Sequence, residues 1–97
     1  MNNTTEFKLI GKLSNVEITT SKLGNQIATC IVSAKRETSQ GIEMSDDYKA
    51  VAFKSLASHV LLIPINNNII INGHLNANNY QGHYNTELVA DNITTLN

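Results

Sequence analysis

The sequence predicts an all-β domain: a five-stranded barrel in Greek-key order, with one short helix between the third and fourth strands. Apolar and polar residues alternate in several separate segments, as in strands with one buried face. Only the segment after the third of these changes to helical spacing. The 97 residues suffice for a single domain, spanning 1–97, with an adequate but not large core.

The first two strands are predicted at Glu6–Leu13, continuing through Val16–Thr20, and at Gln26–Ala34. Gly11 lies inside the first strand, where glycine often marks a bulge or a sharp bend. Leu23–Asn25 is typical of a turn. The second strand has two alternating faces: Ala28, Cys30, Val32 and Ala34 on one, and Ile27, Thr29, Ile31 and Ser33 on the other.

A polar loop is predicted at Lys35–Asp46, before a third strand at Asp47–Phe53. The helix is predicted at Lys54–Ile63, with its apolar side chains on one stripe, and Pro64 ends it. This order suits the oligonucleotide/oligosaccharide-binding (OB) barrel, with the helix plugging one end. A generic small barrel without ligand specificity is the alternative.

The chain is expected to finish with a hairpin. Asn66–Asn68 forms a turn, and a strand then runs from Ile70 to Tyr80. Gln81–His83 is predicted as a tight turn, and Tyr84 begins a last strand that runs nearly to Leu96. The turn brings two aromatic residues close to a polar, asparagine-rich tip, which suits contact with flat nucleobases.

Composition excludes several classes of protein. The net charge is −1, so no strong overall field attracts DNA or anionic lipid, and all seven basic residues lie in the first 54 positions. One cysteine, Cys30, cannot form an intramolecular disulfide and is expected to be a small buried side chain. No signal segment begins the chain, and its apolar runs are too short to cross a bilayer. We therefore expect a cytoplasmic protein without a membrane partner.

Catalytic and metal-binding patterns are weak. His59, His74 and His83 show no ligand spacing with one another or with Cys30. Neither a nucleophile motif nor a phosphate-binding glycine loop is present. We expect neither an enzyme nor a cofactor or metal ion.

Three aromatic residues are candidates for base stacking: Phe53, Tyr80 and Tyr84. Phe53 shares a face with Lys49, opposite Ala50 and Ala52, and we predict that this face is exposed; the alternative is that the helix covers Phe53. Tyr48 lies on the opposite face and is expected to be buried or interfacial.

Tyr80 shares a polar, outward strip with His74, Asn76 and Asn78, whereas Leu75 and Ala77 should point inward. The alternative is that Tyr80 packs within the loop, and the direction of Tyr84 is open. Cations for phosphate contact are expected at Lys8, Lys12, Lys35, Arg36 and Lys49. The alternative for Lys35 and Arg36 is a solvated pair in a loop.

Five segments, in this order, resemble the bacterial single-stranded DNA-binding protein family: FKLIGKL, LGNQIATCIVSAKR, VAFKSLA, INGHLNANNY and YNTELVADNI. The resemblance implies an OB barrel that assembles as a homotetramer or homodimer. It also implies binding of single-stranded DNA without sequence preference or catalysis, in replication, recombination or repair. By position, Phe53 and Tyr80 match the stacking aromatics of that family. Lys12, Lys35, Arg36 and Lys54 fall at or next to its basic positions, which adds Lys54 to the expected phosphate contacts.

The chain departs from that family at several positions, among them Glu6, Asn76 and Asn78, where basic or polar residues are usual. It has no tryptophan, Asp47 stands where an aromatic is common, and it ends with the barrel at Asn97, without the acidic tail that recruits other proteins. A tail-less relative of the primosomal replication protein N type, or one encoded by a mobile element, is therefore an alternative. Its partners would include replication-restart or helicase proteins, and its DNA binding would be weak. A barrel that serves only as a protein adaptor is the third hypothesis.

Overall fold

A computed structural model describes residues 5–96, with the backbone alone at 78–80, 83 and 84. It contains five strands and one helix: β1 (Glu6–Thr20), β2 (Gln26–Glu37), β3 (Glu43–Phe53), α1 (Ser55–Leu61), β4 (Asn68–Tyr80) and β5 (His83–Thr95). The strands form a closed barrel in the order β1-β2-β3-β5-β4. The predicted fold class is confirmed, because this barrel, with its helix between β3 and β4, is consistent with an OB-like fold.

Strand β1 is shared between two neighbours. Its first half pairs with β4, its second half pairs with β2, and Lys12 pairs with both. The irregularity lies between Leu13 and Asn15, not at Gly11 as the sequence suggested. A Cβ atom at Gly11 would lie 2.5 Å from the Ser33 carbonyl oxygen, so this glycine permits close approach of β2.

The core follows the predicted alternation. Five inward positions of β2 and β3 are fully buried, and Leu13, Ile69 and Ile71 pack with them. These inward residues are Ala28, Cys30, Val32, Ala50 and Ala52. Cys30 is a buried free thiol, as predicted, and burial raises its pKa to about 11.

Helix α1 covers one end of the barrel. It packs against β2, β3 and β5 and buries Ala57 and Val60 completely. The helix is shorter than predicted because Lys54, with φ 56°, has a non-helical backbone and Leu62 caps the other end. The Leu13 backbone bonds to the segment that follows the helix: its N–H donates to the Asn67 carbonyl (3.0 Å), and its carbonyl accepts from the Asn66 N–H (2.7 Å).

The loop predicted at Lys35–Asp46 is wrong. Strands β2 and β3 continue through most of it as a hairpin, with a short connection at 38–42. Thr38 closes the connection, since its N–H donates to the Ile42 carbonyl (2.9 Å) and its Oγ1 accepts from the Ile42 N–H (3.1 Å). The charged and polar residues of these strand ends leave no hydrophobic periodicity from which the strands could be predicted.

The second hairpin has a two-residue connection. Gln81 and Gly82 both have positive φ, 50° and 83°, as a tight hairpin turn of this length requires. His83 pairs with Tyr80 and begins β5, so it does not belong to the turn as predicted. Ala77 was expected to point inward but is exposed.

Within residues 5–96, no helix has the length and apolar character needed to cross a membrane.

Candidate nucleic-acid interface

A groove of about 540 Å³ runs along the outer face of the barrel beside β2 and β3. Thr29, Lys49 and Val51 line it, Glu17 of β1 stands on one side, and residues 85–88 of β5 form the other. This is the location where OB barrels hold oligonucleotides, across the second and third strands and between the flanking hairpins. We name this feature the outer groove.

Cross-strand pairs form an apolar surface around the outer groove. Ile27 pairs with Phe53, Thr29 with Val51, and Ile31 with Lys49. Phe53 is 40% exposed, so helix α1 does not bury it as the alternative reading required. The outer face therefore presents an accessible ring near the beginning of the helix, with Lys49 farther along the same strand.

The outer groove carries mixed charge. Lys49 is its cation, and Glu17 and Glu87 line it as well. These glutamates belong to β1 and β5, and the spacing of charges along the chain did not predict that both would line the same groove. Two carboxylates beside one ammonium group lower the attraction of the outer groove for a phosphate backbone.

A second groove, of about 430 Å³, brings two predicted cations together. Lys12 and Lys35 line it with Ile10, Ser33 and Asn68. The pairing of Lys12 with Ser33, and of Ser33 with Asp47, links this groove across the sheet to the outer face of β3. Lys12 of β1 and Lys35 of β2 thus line the same groove.

The basic residues at the end of β2 form ion pairs with acidic residues of β3. Lys35 Nζ lies 3.1 Å from Glu43 Oε1, and Arg36 Nε donates to Asp46 Oδ2 at 2.6 Å. Arg36 Nη2 also lies 3.8 Å from Met44 Sδ. These partners hold the side chains along the β2–β3 hairpin and partly neutralise them, so neither is the free loop cation that the sequence suggested.

The remaining predicted cations do not join one surface. Lys8 lies at the end of the barrel opposite the helix, beside Phe7. Lys54 is exposed between β3 and α1, and its N–H donates to the Gln26 carbonyl at 3.2 Å. The six basic candidates are therefore distributed over at least three parts of the barrel.

Tyr80 and Tyr84 lie on the β4–β5 hairpin, where Tyr80 pairs with His83 and Tyr84 with Asn79. Their side chains lie outside the described part of the structure. Their predicted role in stacking therefore stays a prediction.

Two histidines have local partners. His74 Nδ1 lies 3.0 Å from both carboxylate oxygens of Asp91, and His59 Nε2 lies 3.2 Å from the Ile93 carbonyl oxygen. No cluster of three or more metal-ligating side chains occurs among the described residues.

Tyr48 is not buried within the chain, which was one of its two expected environments. It is 40% exposed although its strand neighbours Ala50 and Ala52 are fully buried, and the other expected environment, an interface, stays a prediction. Alternation correctly predicted the face on which it lies. It could not predict exposure, because that depends on how far β3 extends beyond the covered core.

No protein-family model matches the chain, and a search of curated proteins finds no significant match. The resemblance to single-stranded DNA-binding proteins therefore stays a prediction from the residues quoted above.

Proposed function

We propose that this protein is a non-catalytic barrel that binds single-stranded DNA, largely without sequence preference, in replication, recombination or repair. The observation that carries the proposal is the outer groove, which lies on β2 and β3 and is bordered by β1 and the β4–β5 hairpin. A base stacks on the exposed ring of Phe53, which contributes about 1–3 kcal/mol.

Phosphate contacts come from Lys49 in the outer groove and from Lys12 and Lys35 in the neighbouring groove. Glu43 competes for the ammonium group of Lys35. Few unopposed cations mean few released counterions, so binding has a shallow dependence on salt, with a slope of about 0.7 per phosphate contact. In this proposal the chain acts as a homo-oligomer, as the family resemblance implies.

A fluorescence-anisotropy titration with labelled oligo-dT at low salt tests the proposal. Phe53→Ala is expected to weaken binding by about fivefold to 100-fold, because it removes the stacking surface. Leu62→Ala is the matched control, since Leu62 is also an exposed apolar residue but lies at the end of α1. Equal affinities for Phe53→Ala and the wild type would show that the stacking assignment is wrong.

The two glutamates of the outer groove favour a second candidate, a replication-restart factor or protein-interaction module that binds DNA only weakly. Light scattering with and without a long oligo-dT separates the candidates. A tetramer that binds DNA supports a strand-coating protein, and a dimer with weak binding supports a restart factor. A dimer without detectable binding at low salt supports a protein adaptor.

Neutralising Glu17 and Glu87 tests whether the carboxylates of the outer groove limit its affinity for single-stranded DNA. The double variant Glu17→Gln, Glu87→Gln is expected to bind oligo-dT about threefold to tenfold more tightly at low salt, because two repulsive charges leave the groove. Glu37→Gln with Glu6→Gln is the control, as it makes the same change in net charge at exposed positions outside the groove. An equal gain in both double variants would mean that net charge, and not the groove, sets the affinity.

A further inference from the structure

The end of the barrel opposite α1 holds an apolar cavity of about 350 Å³. Phe7, Ala34, Tyr48 and Leu88 line it, and Lys8 stands at its side. No described helix covers this end, and Tyr48 is 40% exposed although it occupies an inward position of β3. We name this cavity the mouth pocket. Its volume is at the lower end for small-ligand sites, which suits one flat ring.

The mouth pocket is adjacent to the outer groove. Leu88 lines both of them. The described pairing of β3 with β5 consists of Ala50 with Leu88 and Val51 with Val89, so it stops just before Lys49. Lys49 and Tyr48 are consecutive residues of β3 whose side chains point to opposite faces of the sheet. A strand that leaves the outer groove past Lys49 therefore reaches the mouth pocket within a short distance.

We propose that the mouth pocket is a second base-binding subsite for the same single strand, an inference that rests on the proposed function. One base stacks on the ring of Tyr48 and contacts the apolar wall formed with Phe7 and Leu88. The ammonium group of Lys8 neutralises the adjacent phosphate. Tyr48 thereby joins Phe53 as a stacking residue, on the opposite face of the same strand.

The positive charge of Lys8 at the mouth pocket favours a nucleobase with its phosphate over a basic or purely apolar peptide. Lys8 supplies a cation beside the apolar walls, which suits a segment that carries flat apolar rings on an anionic backbone. The shared residue Leu88 gives the strand in the outer groove a direct route to the pocket. A nucleobase of that strand therefore accounts for the ring, the cation and the shared wall together.

Binding as a function of oligomer length tests the subsite. Wild type, Tyr48→Ala, Tyr48→Phe and Phe53→Ala are titrated at low salt with oligo-dT of about 4 and about 12 nucleotides, one at the lower limit and one well inside the range of OB-barrel site sizes. Tyr48→Ala should weaken binding of the longer oligomer about fivefold to tenfold and leave the shorter one unchanged. Tyr48→Phe should bind as the wild type does, because it keeps the ring.

Ile42→Ala is the matched control, since Ile42 is an exposed apolar residue at the connection of the same hairpin. Photo-crosslinking of the longer oligomer, with 5-iododeoxyuridine replacing each thymidine in turn, should label the peptide that contains Tyr48 at one position. A crosslink confined to the peptide that contains Phe53 would count against the subsite.

The outcomes separate the two claims. If Phe53→Ala weakens both oligomers and Tyr48→Ala weakens neither, the outer groove binds DNA and the mouth pocket does not. If Tyr48→Ala weakens both equally, the subsite is also wrong, because a pocket beyond the groove cannot act on a strand too short to reach it. If the wild type binds neither oligomer, the proposed function fails and the subsite fails with it.

Discussion

The two ends of the barrel are built from the same strands but differ in what covers them. At the helical end, α1 covers the barrel, and Ala57, Val60 and Leu13 are fully buried. At the other end, Phe7 and Leu88 are half-buried and Tyr48 is exposed, although all three occupy inward positions. Alternation along a strand thus decides the direction of a side chain, whereas the presence of a covering element decides whether water reaches it.

The two ends also differ in the kind of surface that they present. The covered end contains no described polar side chain among its buried residues, so it contributes packing alone. The open end combines rings, an apolar cavity and Lys8, which are features of a surface that contacts a ligand. The outer groove lies between these ends, on the outside of the same strands.

Truncating one residue at each end tests this comparison by stability. Leu13→Ala is expected to lower the free energy of unfolding by about 4 kcal/mol, because it leaves a cavity in a fully buried site. Leu88→Ala, in the half-buried open end, should cost about 2 kcal/mol. Urea denaturation followed by circular dichroism measures both.

Leu62→Ala is the control for this series, because Leu62 is 82% exposed and its loss should change stability by less than about 0.5 kcal/mol. Equal losses for Leu13→Ala and Leu88→Ala would mean that something covers the open end in solution, such as a second copy of the chain.

Cys30 reports how far water enters from the open end. Burial raises the pKa of its thiol from 9.0 to about 11, so the unfolded chain releases this proton at lower pH than the folded chain does. Stability from this group is complete below pH 9 and is lost as the pH rises towards 11, with a loss of about 1 kcal/mol at pH 10. Urea denaturation at pH 8 and pH 10 measures the loss.

Cys30→Ala removes the titrating thiol and should lack this part of the pH dependence, so comparison with the wild type isolates the contribution of the thiol. The thiol of the folded wild type should also fail to react with a disulfide reagent at pH 8, since the thiolate is the reactive form. Rapid labelling of the folded protein would show that reagent and water reach the core around Cys30.

The strands and the helix could be predicted where one buried face produces a periodic pattern of apolar residues in the sequence. The segment Gln26–Ala34 alternates because one face is in the core, and α1 shows helical spacing because one stripe packs on the barrel. The β2–β3 hairpin was missed beyond Ala34, because there both faces are largely exposed and ion pairs replace apolar contacts. Periodicity in hydrophobicity cannot report a strand that buries neither face.

The candidate site could be predicted only in part, because the charged residues that line it come from different strands. Phe53 and Lys49 were assigned to one outward face of β3 from alternation alone. The approach of Glu87 to that face depends on the pairing of β3 with β5, which joins residues far apart in the sequence, and that of Glu17 depends on the β1–β2 register, in which it pairs with Thr29. The ion-pair partners of Lys35 and Arg36 depend on the β2–β3 register, which could not be predicted because residues 35–46 were assigned to a loop.

The way in which β1 changes partners has a consequence for synthesis of the protein. Leu9 pairs with Ile71, about 60 residues later in the chain, so the first half of β1 has no partner in this sheet until β4 has left the ribosome. Until then the nascent chain displays an unpaired strand edge that can associate with other chains. Lys8 and Lys12 alternate along that edge with apolar residues, and these charges oppose premature pairing between neighbouring nascent chains. The two lysines that we propose as phosphate contacts thus also oppose association of the protein while it is being made.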